Sequence, residues 1–211
     1  MNAFNLLVIT VAAIAFTAIQ YADADAYVLS ILSLTAVVML IKRNNINVVH
    51  ICSIVLITAL LEYCIILLTS HQKDIPTIYW GSFIFGIQIL ICYVAIKILI
   101  LRTYLSRKLL TFTNSEKFNE VHMTHAEGIL AGLYRIITLV LWLALIENLL
   151  RHLEQLGISK NITNIFQDLT LVYDNYEIFI YPLRAIICGV VLSLLVVSKI
   201  DTERLERQQA V

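Results

Sequence analysis

Long apolar runs separated by short polar connections set the rhythm of this chain. A helix needs roughly 20 residues to cross a hydrocarbon core of about 30 Å. Six runs come near that length: Phe4–Tyr21, Tyr27–Ile41, Val48–Thr69, Tyr79–Leu101, Ile129–Leu150 and Ile178–Ser198. The second is the shortest. Only two prolines occur, Pro76 in a connection and Pro182 near the start of the sixth run, which suits long continuous helices. The pattern predicts one all-α domain over residues 1–211, a polytopic integral membrane bundle of six transmembrane helices.

Two connections carry patterns of their own. In the 102–128 connection the first half continues the fourth run as a helix with a basic face, suited to anionic headgroups. Thr113 and Glu116 have the spacing of a capping box. They predict a second helix that starts there and runs through Gly128 into the fifth run, giving a cytoplasmic helical hairpin. Gly128 and Gly132 form a small-xxx-small step for close helix packing. In the 151–177 connection, Ile162, Ile165, Phe166, Leu169, Val172 and Tyr173 share one helical face, opposite Asn161, Asn164, Gln167 and Asp168. This predicts an outer amphipathic helix lying on the membrane or capping the bundle, with a ligand-gating lid as the alternative.

Composition supports the membrane reading. The chain is 60% hydrophobic and 14% charged, with a mean hydropathy of +0.85, too little polar residue to cover a soluble globule. Fifteen Lys+Arg balance fifteen Asp+Glu, but the placement is uneven. Connections after the second, fourth and sixth runs hold Lys42, Arg43, Arg102, Arg107, Lys108, Lys117, Lys199, Arg204 and Arg207. The alternate connections hold only Lys73, Arg151 and Lys160, among several acids. By the positive-inside rule both termini are expected in the cytoplasm, N-in and C-in, with the plasma (inner) membrane as the host. Lys97 and Arg135 fall within runs near the same face and read as snorkelling anchors. Ala-x-Ala sites at Ala22–Ala26 resemble a signal-peptide cleavage site, but no Lys or Arg precedes the first run, so an uncleaved hairpin is expected. No basic stripe lies outside the membrane flanks, which argues against nucleic acid as a partner.

Depth places several polar residues together. Glu62 lies about 21 Å along the third helix, and Arg184 about 9 Å along the sixth from the opposite face. Their depths match, and Gln88 of the fourth helix, about 13 Å down, falls in the same layer. Glu147 sits near the outer end of the fifth run, with Arg151 one turn on as a local partner. An intramembrane charge costs roughly 2.5–3.5 kcal/mol, so each needs a partner or a purpose. The expectation is a structural Glu62–Arg184 pair assisted by Gln88; the alternative is a polar cavity in which Glu62 titrates.

Other chemistry is sparse. The run Glu120–Glu127 places His122 and His125 one turn apart if helical, a weak candidate metal or pH-responsive pair lacking the His-Glu-x-x-His arrangement. The four cysteines fall inside apolar runs, read as buried small hydrophobes. No nucleophile elbow, phosphate loop or zincin motif occurs, so no enzyme and no cofactor is expected. The expected function is a small membrane interaction, sensor or assembly protein, of the class that serves envelope-stress or defence systems. Its partners would be the lipid bilayer and either further copies of the chain or another protein at the cytoplasmic face. The alternative is a channel or carrier for protons, ions or a small solute.

Overall fold

The structure, a computed structural model, describes residues 3–22, 24–70, 77–113, 118, 120–157, 166 and 170–209. Those residues form an all-helical bundle: α1 (Ala3–Ala22), α2 (Ala24–Ile41), α3 (Ile46–Ser70), α4 (Thr77–Thr113), α5 (His125–Arg151) and α6 (Tyr176–Gln209), with a short 3-10 turn at Leu153–Leu156. Among the described residues four stretches are long and apolar enough to cross a membrane: Ile46–Ile65, Ile78–Phe112, His125–Arg151 and Tyr176–Leu195. The shorter apolar helices Leu6–Tyr21 and Ala26–Ile41 accompany them.

α6 is the organising helix. It packs on α1, α2, α3 and α5, and its apolar stretch is the most buried of the four. Gly189 permits this, because a Cβ there would stand 2.8 Å from the Ile9 carbonyl oxygen of α1. Pro182 sits inside α6, where its ring leaves the carbonyl one turn back without a helical donor. On the other side, α4 and α5 form an extensive antiparallel pair. Asn148 of α5 is fully buried and its amide faces the Ile78 carbonyl and the Ser82 hydroxyl, both at 3.4 Å. Gly81 makes room, since a Cβ would come within 3.0 Å of Asn148 Nδ2.

Several expectations change here. Added Cβ atoms at Gly128 and Gly132 would meet nothing within 4 Å, so the close approaches inside the chain lie at Gly81 and Gly189 instead. Thr113 does not open a helix but ends α4, and Glu116 lies outside the described residues. α5 starts at His125, behind N-cap Thr124, so the helices of the hairpin are separated by a non-helical strap over 121–124. The Glu half of a capping box is closed there by Glu127, whose Oε1 accepts from the Thr124 N–H at 3.0 Å and its hydroxyl at 3.1 Å. Most of the expected outer amphipathic helix lies outside the described residues; Phe166 is helical, whereas 170–173 is not. Cys52, Cys92 and Cys188 are buried, but Cys64 is exposed on the bundle surface.

Candidate functional site

Among the described residues three polar clusters lie in the bundle. In the first, α3 presents Glu62 and α6 presents Arg184, with Arg184 Nη2 2.8 Å from Glu62 Oε2. Both side chains are mostly buried. They line a small cavity of about 30 Å³ together with Tyr27, Thr58, Tyr63 and Tyr134. One water needs about 10–15 Å³ of such space, so the cavity has room for about two waters and for nothing much larger. Arg184 Nε has no hydrogen-bond partner among the described residues, which gives a water there a donor to satisfy. Beside the cavity wall the Tyr27 hydroxyl lies 3.9 Å from Cys188 Sγ. Neither Gln88 nor Glu147 bonds to this pair.

Those two residues belong to the second cluster. Gln88 Oε1 accepts from the Tyr176 hydroxyl at 3.3 Å. Glu147 is buried near the end of α5, and its partner is not Arg151. Its carboxylate instead accepts three successive backbone N–H groups, Leu171 at 3.0 Å, Val172 at 2.6 Å and Tyr173 at 3.1 Å. Backbone amides that converge in this way form an anion-binding nest, and charge-assisted bonds to them are the strong kind. Arg151 turns to Asp174 at 2.9 Å and lies over the Tyr173 ring. Phe85 packs edge-on against Tyr173 and Tyr176, so the loop before α6 is fastened to α4 as well as α5.

The third cluster was not anticipated from the sequence. Arg102 of α4 and Glu127 of α5 form an ion pair at 2.5 Å with side chains 1% exposed. Arg102 Nη1 also donates to Asn47 Oδ1 at 2.9 Å, and Nη2 to the His122 carbonyl. Asn47 Nδ2 donates to the Glu120 carbonyl at 2.9 Å, while the His122 N–H donates to Asn47 Oδ1 at 3.2 Å. Arg107 adds a bond to the Val121 carbonyl at 3.1 Å. The strap between α4 and α5 is thus held through its main chain by side chains of α3 and α4, and Val121 is buried beneath it. Arg102 and Glu127 were legible only as a flanking basic residue and a helix-surface acid. The signal that could have found them is the spacing Thr124-x-x-Glu127, a capping box eleven residues beyond the one that was read.

The histidines fall apart as a pair. His122 lies in the non-helical strap, with Nδ1 near Asn47 Nδ2 and the Glu120 carbonyl, while His125 opens α5. No group of three or more His, Cys, Asp or Glu side chains among the described residues is placed to hold a metal ion. Elsewhere, His50 Nδ1 meets Ser106 Oγ at 2.6 Å, tying α3 to α4. Lys97 lies over the Tyr93 ring, and Arg135 is exposed. No protein-family model matches the chain, and no curated protein and no solved structure shows a match to it.

Proposed function

We propose that this protein is a membrane-embedded interaction or sensor subunit, whose working surface is the tip of the α4–α5 hairpin. The observation that carries the reading is the clamped strap: Asn47, Arg102 and Arg107 grip the main chain of residues 120–122. Any displacement of the tip is therefore felt by three membrane helices rather than absorbed in a loose connection. The tip also offers apolar side chains to a partner, with Phe112 83% and Met123 67% exposed. In this reading α1 and α2 also cross the membrane, giving six spans with both termini and the tip in the cytoplasm. The Lys and Arg distribution supports that orientation and a plasma-membrane location. The partner is a second copy of the chain or another membrane-associated protein.

A photo-crosslinker at Met123, in native membranes, tests this. Capture of a homo-oligomer or of one stoichiometric partner is expected. A monomer with no crosslinked partner would sink the proposal.

A second reading has one observation behind it. The Glu62–Arg184 cavity has room for water beside a carboxylate and buried tyrosines, the ingredients of a proton site. Its size weighs against any larger cargo. Flux measured in proteoliposomes separates the readings: a proton role requires flux that is lost when both charges are replaced.

A further inference from the structure

A second, larger concavity lies between α3 and α4 at the Arg102 end, with a volume of about 410 Å³. Small-molecule sites typically run to about 300–1,000 Å³, so it is large enough for a ligand where the Glu62 cavity is not. We infer that this groove binds one anionic phospholipid, an acyl chain lying along its apolar floor and the phosphate meeting Lys108.

The floor is made by Ile54 of α3 with Ile98 and Leu105 of α4. All three lie within stretches apolar and long enough to cross a membrane, so in this inference the groove opens at the bilayer edge and a lipid chain covers it. The polar groups on its walls are not equivalent. His50 and Ser106 satisfy each other at 2.6 Å. Arg102 lines the groove but is 1% exposed, so its guanidinium offers a ligand almost no surface. The Arg102 charge is already matched by Glu127. Among the described residues the positive charge on the wall without an acidic partner is therefore that of Lys108, which is exposed. That excess selects an anionic headgroup over a zwitterionic one, because a basic side chain near an anionic lipid surface is attractive. The inference needs α3 and α4 to face lipid and does not depend on any protein partner at the tip.

The test uses the full chain purified in mild detergent and mixed with equal amounts of phosphatidylglycerol and phosphatidylcholine. Native mass spectrometry then reads which lipid stays bound after the detergent is stripped. One phosphatidylglycerol per chain is expected, preferred by about fivefold, the value of one basic side chain at an anionic surface. Lys108→Gln, at an exposed position, should abolish the preference while leaving the fold intact. Ile98→Trp should fill the floor and remove retention of both lipids. Equal retention of the two lipids, or a preference that survives Lys108→Gln, overturns the inference. So does retention unaffected by Ile98→Trp, which would place the lipid elsewhere. A lipid-free homodimer would assign the groove to a second copy and overturn it as well.

Discussion

Arg102 and Glu127 meet at 2.5 Å with both side chains 1% exposed, so α4 and α5 are joined by an ion pair sealed from solvent. Glu127 also holds the N-terminus of α5 through Thr124. One carboxylate therefore starts a helix and locks it to its neighbour.

Breaking such a pair from one side leaves an uncompensated buried charge, at a cost of about 3–5 kcal/mol. Arg102→Met and Glu127→Leu are each expected to lose roughly that much in equilibrium unfolding in detergent. The double variant should recover a substantial part of it. A double variant as unstable as the worse single would show that the strap contacts, not the pair, carry the stability.

The same logic applies to Glu62 and Arg184, with a different readout. Glu62→Leu with Arg184→Met should assemble normally by size-exclusion profile, whereas either single change should reduce the folded fraction, since about 3–5 kcal/mol is at stake. Assembly lost in the double variant would mean the cavity needs its charges.

Glu147→Gln removes the charge from the carboxylate that gathers three amides. Hydrogen bonds to a charged group contribute about 1.5–3 kcal/mol each, so the loop should open more often. Hydrogen exchange at Leu171, Val172 and Tyr173 is expected to accelerate while the α5 core stays protected. Unchanged exchange at those amides would remove Glu147 from its role as the loop's anchor.

Glycine substitutions separate the close contacts from the open ones. Gly189→Leu drives a side chain into the backbone of α1 at Ile9 and should cost about 1–3 kcal/mol. Gly128→Ala and Gly132→Ala meet open space and should raise the unfolding midpoint slightly, by the helix propensity difference of about 1 kcal/mol or less. A Gly128→Ala variant that loses an oligomer while keeping its monomer stability would move that motif to an interface between copies.

The helices were readable because each apolar run must hide its backbone inside a helix, and the observed elements begin and end within a few residues of most runs. α4 continues to Thr113 as the pattern after Leu101 indicates, because no Pro or Gly interrupts it there; the larger departure is α6, which runs on to Gln209, past the apolar run that ends at Ser198. The Glu62–Arg184 contact was legible for a related reason: few charges lie deep in the runs, and topology leaves few ways to match them. Polar residues at the ends of helices were harder. Arg102 and Glu147 flank apolar runs, where a charge normally meets water, and only the tertiary fold shows that a strap and a loop cover them. Asn47 and Asn148 gave no signal, since a single Asn near a helix end is compatible with both a solvated and a buried role.

The position of α6 has a consequence for biogenesis. This helix supplies Arg184 to Glu62 and Gly189 to the Ile9 backbone, yet it is synthesised after both of the helices that await it. During translation α3 must enter the bilayer with its carboxylate unmatched, at roughly 2.5–3.5 kcal/mol, which its flanking apolar residues have to outweigh. A nascent chain halted before α6 would carry a lone membrane acid and an uncovered α1. Those two features distinguish the unfinished protein from the finished one, and they are what a membrane chaperone or protease would have available to recognise.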